Sequence, residues 1–439
     1  MSSREDGALA FVLHTHMPYV EGYGTWPFGE EWLWEAIAGC YLPLLEVLDS
    51  GAPLTLSLTP VLIDQLLAPG VEQRLARFID EIRGETHRRD HAGFLAADEP
   101  ALAAEIERSA QDYERARGRL AEVGGLAAAL CARAGWTSSA THAVLPLITC
   151  DELAALQVDS GVAAARERLG RWRGGFWLPE CAHAHWVELS GRHPIGADEH
   201  LRPLRSIHGP LLVPIDRETI DLVWGEGGYP ADGAYRDYHH LTTHHHRPWD
   251  NAGRAYERER AAEQVEFHAA RFVEHVARRI AGGGLLTCAI DTELFGHWWF
   301  EGPLWLAAVV EQCRRRGVPL VELDDALGEL DPPTVDTSSW RPSSWGAGGD
   351  LSTWSQGRAA QIAWQIRRAE LDYLAAGAPA GAARRELLAL QASDWAFVVS
   401  RGTAVPYGHE RHEGHLSELR RALAGEAVPG PRSLVPRDG

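Results

Sequence analysis

The sequence predicts an α/β fold in which a parallel sheet or barrel is followed by a helical region. Three observations lead there. Continuous apolar runs of strand length recur up to residue 323, with helical stretches between them. Such alternation implies parallel strands joined by helices. Several runs end in polar, chemistry-bearing residues, and the chain after about residue 355 is helical throughout.

Residues 8–13 are apolar at every position and read as a strand buried on both faces. The strand ends in His14-Thr15-His16-Met17-Pro18-Tyr19, and two histidines spaced by two share one face of a strand. A loop through Trp26-Pro27-Phe28-Gly29-Glu30 leads to a helix over 31–48, and 54–58 form a second strand ending at Thr59-Pro60. Residues 61–130 read as a helical insertion broken near Gly84 and Gly93. Residues 136–139 are a short strand before Ala140-Thr141-His142, and 151–169 an amphipathic helix. Gly175-Phe176-Trp177-Leu178-Pro179-Glu180 reads as a strand ending in an acid. Further strands are expected at 211–215 and 219–223, then a Gly-rich loop to residue 233. Five histidines fall between 239 and 246; three are consecutive, so their side chains diverge, which argues against a metal site. A helix over 255–280 is closed by Gly282-Gly283-Gly284. The apolar run 285–290 then delivers Asp291, Glu293, His297 and two tryptophans within a few residues. A helix over 304–315 and a last strand over 318–323 follow. Residues 331–350, rich in Pro, Ser, Gly and Trp, mark a boundary, and breaks near Gly377 and Gly402 divide the helices beyond it.

Composition sets limits. The chain has 439 residues, 45% apolar and 23% charged, enough for a sizeable core. A net charge of −19 disfavours nucleic acid and anionic membrane as partners. No apolar run reaches transmembrane length, and no signal peptide is visible. Six cysteines without a C-x-x-C pair read as reduced thiols of a cytoplasmic protein. Seventeen tryptophans supply flat apolar faces for core packing or for stacking on sugar rings.

Four strands thus end in His14 with His16, His142, Glu180 and Asp291, and in parallel α/β folds the chemistry collects at strand C-termini. Two carboxylates among Trp and His suit glycosidic-bond chemistry. One attacks the anomeric carbon; the other protonates the leaving oxygen and then deprotonates the acceptor. A retaining reaction needs them about 5–5.5 Å apart. Glu180 follows the stiff Leu178-Pro179, and the apolar neighbours of Asp291 favour the raised pKa of an acid/base. The rival is a metal hydrolase with His14 and His16 among its zinc ligands. However, the Asp that follows such an element by two residues in zinc mannosidases is Pro18 here, and Glu180 is left without a task. The histidines read better as hydrogen-bond partners of sugar hydroxyls.

Five motifs occur in order: Leu13-His14-Thr15-His16-Met17-Pro18-Tyr19 with Trp26-Pro27-Phe28-Gly29-Glu30-Glu31, Ala140-Thr141-His142, Gly175-Phe176-Trp177-Leu178-Pro179-Glu180, Asp291-Thr292-Glu293-Leu294-Phe295-Gly296-His297-Trp298-Trp299, and Ser344-Trp345-Gly346 with Ala392-Ser393-Asp394-Trp395. Through them the chain resembles glycoside hydrolase family 57, specifically its α-1,4-glucan branching enzymes. The resemblance implies an incomplete (β/α)7 barrel over 1–330, with the helical insertion at about 61–130. A C-terminal helical domain, 331–439, closes the cleft. It makes Glu180 the nucleophile and Asp291 the acid/base, and lines the sugar subsite with His14, His16 and His142. Trp26, Trp224, Trp345 and Trp354 resemble the family's stacking residues, and Asp394 a donor or acceptor from the helical domain. No metal or organic cofactor is implied; the partner is an α-1,4-glucan such as glycogen or amylose. There are three departures. The segment between Glu180 and Trp224 is short and lacks a loop that carries a tyrosine over the active site. Ala231 stands where the pattern has Gly, and Thr403 where it has a polar amide. A wider cleft admits water to the glycosyl intermediate, so an amylase-like hydrolase or a low-activity glucan-binding protein stands as the alternative to branching.

Overall fold

The computed structural model describes residues 7–24, 29–186, 202–429 and 434. Among them the strands, in chain order, are β1 (Ala8–Thr15), β2 (Thr55–Leu58), β3 (Trp136–Thr137), β4 (Gly175–Phe176), β5 (Leu204–Ser206), β6 (Leu211–Leu212), β7 (Leu285–Asp291), β8 (Leu320–Val321) and β9 (Thr334–Val335).

β1 is buried along its whole length, as a continuous apolar run must be when both faces are covered. It lies inside a parallel sheet of order β4-β3-β2-β1-β7, with β8 also paired to β1. Successive amides of a strand point to opposite edges. The Ala8 N–H therefore donates to Gly284 O at 2.9 Å on the β7 side, while the Leu9 N–H donates to Pro319 O at 2.8 Å on the β8 side. Because the strands are parallel, their C-terminal ends share one side of the sheet. Register places His14 between Ser57 of β2 and Asp291 of β7.

Phe11 of β1 packs on Phe272, Phe295 and Trp305, with ring centroids 6.1–6.3 Å apart. Trp34, Trp136, Trp177, Trp299, Trp305, Trp354 and Trp395 are all buried, so much of the tryptophan excess fills core.

The helix expected over 31–48 forms as Glu30–Ala36 and Leu42–Asp49, joined by a π-helical turn, Ile37–Tyr41. The insertion is helical from Pro60 to Arg133 with different breaks. Gly93 lies inside the helix Gly84–Ala96, its cost of ~1 kcal/mol overridden by the surrounding turns. The chain breaks instead around Asp98 and at Gly124 and Gly125, all with positive φ. The strand expected at 219–223 is wrong: these residues belong to the helix Arg217–Trp224. Asp216 caps it, accepting the Thr219 N–H at 2.8 Å, and Thr219, Ile220 and Val223 turn inward at helical spacing. Five residues with apolar side chains only at 220, 222 and 223 fit either period, and the cap decides. The neighbouring run leaves the main sheet: β6 pairs antiparallel with β5, and β5 pairs parallel with β9. The segment read as a boundary is thereby tied back to residues 204–206.

Four helices, Ala360–Ala375, Ala382–Leu390, Ser393–Arg401 and Val405–Leu423, make up most of the C-terminal region. Gly377 and Gly402 punctuate them with φ of 80° and 73°, as expected. The buried Arg411 latches this region to the end of β1. Its Nη2 donates to Tyr19 O, and its guanidinium lies 3.2 Å from the Tyr23 ring centroid and 4.6 Å from that of Trp395. All six cysteines are free thiols, and no described helix is long and apolar enough to cross a membrane.

Candidate active site

β1 and β2 build one wall by direct pairing. His14 Nδ1 lies 3.1 Å from Ser57 Oγ, and His16 Nδ1 lies 3.1 Å from Thr59 Oγ1. Each ring is thus held at one nitrogen by a hydroxyl, of β2 for His14 and of the residue after β2 for His16, leaving the other nitrogen for the site. His14 Nε2 meets His142 Nε2 at 2.9 Å, and His16 Nε2 meets Asp394 Oδ2 at 3.0 Å. The rings also stack, His16 on His142 at 4.1 Å and His14 on Trp177 at 4.6 Å.

Burial, then the neighbouring His16, drives the pKa of His14 well below its ordinary value. His142 is lowered by burial and by both other histidines. His16 differs. Burial pulls it down, but Asp394, with Glu293 and Glu180, more than offsets this, and its pKa is raised. The wall therefore holds two neutral imidazoles and one that favours its proton.

Glu180 stands not at the strand's end but in a tight turn four residues beyond Phe176, with φ 60° and ψ 20°. Cys181 and His142 share the left-handed region, with φ of 48° and 61°. Three non-glycine residues so placed at one site mark backbone held against its preference, at ~1–3 kcal/mol each. What holds it is Trp345, whose backbone N–H donates to Glu180 O at 3.0 Å and whose indole N–H donates to Glu180 Oε2 at 2.8 Å. Burial pushes the Glu180 pKa up to about 7, while hydrogen bonds from Trp345 and Ser393 act to lower it.

Asp291 ends β7. Its side chain is open to solvent, yet protein atoms crowd it enough that lost hydration, then the charges of Glu180, Glu293 and Asp394, raise its pKa well above the carboxylate range. A side chain both accessible and crowded sits in a concave site. Among the described residues no donor binds its carboxylate, in contrast to Glu180. Glu293 is buried and accepts from Tyr41 Oη at 2.6 Å and the His16 N–H at 3.1 Å, fastening the turn after β7 to β1 and to the π-helical turn.

The structure thus brings together His14, His16, His142, Glu180, Asp291, Trp345 and Asp394. Trp354 is 2% exposed in an apolar cluster behind Trp345, a core position closed to a ligand in this conformation. Trp224 is exposed at the far end of its helix; Arg217, at the near end, donates to the Trp345 carbonyl at 3.4 Å. Trp26 and residues 187–201 of the shortened segment lie outside the described residues. Sequence reasoning missed Ser57, Thr59, Ser393 and Tyr41. Ser57 and Thr59 carried a signal, since their spacing of two matches that of His14 and His16. Ser393 carried none beyond its neighbour Asp394.

His16, His142 and Asp394 offer potential metal-ligand atoms within 4.8 Å of one another. The donor set fits a metal poorly. Both nitrogens of His142 are engaged, by Ser393 and His14, and stacked rings direct their lone pairs side by side rather than inward.

Residues 136–188 match the family model for glycosyl hydrolase family 57, and residues 374–427 match that for the C-terminal region of 1,4-alpha-glucan branching enzyme. A 1,4-alpha-glucan branching enzyme of Thermococcus kodakarensis is 31% identical over 96% of this chain and 74% of its own length. A probable 1,4-alpha-glucan branching enzyme of Mycobacterium tuberculosis is 31% identical over 98% of this chain and 94% of its own. The first alignment runs over 510 residues, more than the 439 of this chain, so that relative carries insertions absent here. The crystal structure of the branching enzyme from Pyrococcus horikoshii superposes with a TM-score of 0.86 at 29% identity, covering 96% of this chain and 92% of that one.

Proposed function

The chain belongs to glycosyl hydrolase family 57, with the 1,4-alpha-glucan branching enzymes, and from that footing we propose that it transfers segments of α-1,4-glucan to 6-hydroxyls by a retaining, double-displacement reaction. Glu180 attacks the anomeric carbon of the donor glucan as Asp291 protonates the departing glycosidic oxygen. The shortened glucan leaves, and its former partner stays esterified to Glu180. Asp291, now a carboxylate, takes the proton of an acceptor 6-hydroxyl. That oxygen displaces Glu180 at the anomeric carbon, restoring both carboxyls and creating an α-1,6 link.

The observation that carries the assignment is the unequal hydrogen bonding of the two acids. Both pKa values are raised, so near neutrality the crowded site keeps protons. Trp345 stabilises the Glu180 anion with a charge-assisted hydrogen bond, while Asp291 has only like charges around it. The proton belongs on Asp291 and the negative charge on Glu180, as acid and nucleophile require.

We read the parallel sheet as the incomplete (β/α)7 barrel, and residues 331–439 as the domain that closes the cleft. Supporting this, Ser393 meets His142 Nδ1 at 2.9 Å, Asp394 meets His16, and Trp345 meets Glu180. His14, His16 and His142 line the sugar subsite, with Trp345, Trp224 and Trp26 as apolar faces along the chain's path. Six free thiols suit a reducing compartment such as the cytoplasm.

Incubation of the protein with amylose, followed by debranching, tests the proposal by counting new α-1,6 links. New links with few new reducing ends support it. Rising reducing ends without new links favour hydrolysis, the reading motivated by the short segment before Trp224. Binding to glycogen without turnover favours a glucan-binding protein.

A further inference from the structure

Four buried polar side chains form an unbroken path that ends on Glu180. Ser57 Oγ lies 3.1 Å from His14 Nδ1, His14 Nε2 lies 2.9 Å from His142 Nε2, and His142 Nδ1 lies 2.9 Å from Ser393 Oγ. Ser393 hydrogen-bonds the Glu180 carboxylate in turn, and Glu180 Oε1 is 3.7 Å from His142 Nδ1. The path runs from β2 to β1, then to the turn after β3, then to the first residue of the helix Ser393–Arg401. Backbone fixes its last joint. The Ser393 N–H donates to His142 O at 3.1 Å, with His142 held at φ 61°.

The path has a direction. Burial keeps His14 and His142 neutral, so each ring has one N–H and one lone pair. The single hydrogen between the two Nε2 atoms belongs to one ring or the other. Suppose His14 carries it. His14 Nδ1 then accepts from the Ser57 hydroxyl, and His142 carries its hydrogen on Nδ1 and donates it to Ser393. Ser393 is left with its own hydrogen for Glu180. Suppose instead that His142 Nε2 carries it. Every bond reverses, Ser393 must donate back to His142, and nothing is left for Glu180. The buried Ser57 hydroxyl also loses its acceptor, since among the described residues its Oγ meets only His14. A buried hydroxyl without an acceptor and a carboxylate without its donor are both costly, so both ends of the path select the first arrangement.

We propose that Ser393 is a positioning residue for the reaction at Glu180, locked as a hydrogen-bond donor to its carboxylate by a one-way chain from Ser57 through His14 and His142. The two rings spend both of their nitrogens on this polarity. Glu180 thereby gains a second neutral donor beside the Trp345 indole on Oε2. The charges facing it are those of Asp394 and Asp291, which repel its anion, and of His16, which attracts it. That Glu180 is the nucleophile rests on the function proposed above; the direction of the chain does not.

Neutron diffraction from crystals of the deuterated full chain, grown above neutral pH, reads the direction without any substitution. Deuterium is expected on His14 Nε2 and His142 Nδ1. Kinetics on amylose read the consequence. Ser393→Ala should move the acid limb of kcat/KM to higher pH by about one unit, about a tenfold loss on the acid side. Ser393→Thr, which keeps the hydroxyl, should restore the limb. Ser57→Ala, at the far end of the chain, should move it the same way by less, and should add nothing in the Ser393→Ala background. Circular dichroism melts confirm that each variant is folded. Deuterium on His142 Nε2, an acid limb that stays in place while activity falls equally at every pH, or additive effects of Ser57→Ala and Ser393→Ala overturn the proposal. Failure of the branching reading shows separately, as full turnover by Glu180→Gln or absence of new α-1,6 links, and leaves the neutron result readable.

Discussion

Trp345 binds Glu180 twice, through its backbone N–H to the carbonyl at 3.0 Å and through its indole N–H to Oε2 at 2.8 Å. One residue therefore fixes both the strained turn and the charge state of the acid on it. In Trp345→Phe the backbone bond survives and the indole donor is lost. A hydrogen bond to a charged group contributes about 1.5–3 kcal/mol, or roughly one to two pKa units. The Glu180 pKa, already pushed up to about 7, should rise further, so the acid limb of kcat/KM should move to higher pH by about one unit. Profiles of wild type and variant check this; superimposable acid limbs would separate Trp345 from the charge on Glu180.

Asp291→Asn removes the proposed acid while keeping its shape. On amylose, kcat/KM should fall by about 10²–10⁴-fold. With a nitrophenyl maltoside, whose leaving group needs little protonation, the loss in glycosyl-enzyme formation should be much smaller. Equal losses on the two substrates would exclude Asp291 as the acid.

Because Asp394 holds the pKa of His16 above its unfolded value of about 6.5, their pairing makes stability pH-dependent. The contribution is fully present below about pH 6.5 and is lost as pH rises through the raised folded value. Asp394→Asn should therefore lower Tm more at pH 6 than at pH 9. Thermal melts at both pH values decide; equal losses would mean that His16 is neutral across the range.

Arg411 is fully buried, and its neighbours depend on it. Its Nη2 serves Tyr19 O and lies 2.9 Å from His415 Nε2, and His415 Nδ1 meets Glu386 at 2.7 Å. Arg411→Met keeps bulk but strands these groups. Removing one partner of a buried charged network costs about 3–5 kcal/mol. Urea unfolding should show that loss, and a change under 1 kcal/mol would reduce the latch to packing.

The strand ends were legible because they combine two strong signals, a two-sided apolar run and an abrupt polar stop. β1 and β7 show both, and so His14, His16 and Asp291 could be placed. β3 and β4 are two residues long, too short for any period, and Glu180 was read as a strand end when it occupies a left-handed turn. That turn exists because Trp345 binds it from 165 residues away, which no local pattern encodes. Trp354 illustrates the converse: the family resemblance implied a stacking surface, and this structure packs it behind Trp345 in the core.

The dependence of His16 on Asp394, and of the β1 exit on Arg411, also sets an order of events during synthesis. A nascent chain can pair β1 with β2, β3 and β4 within its first 176 residues. The counter-charge for His16 and the latch on Tyr19 emerge from the ribosome only near the end of translation. Until then the growing protein carries its acids and histidines on a scaffold whose final quarter is missing. The proposed catalytic centre is thus completed last, when residues 394 and 411 have been made.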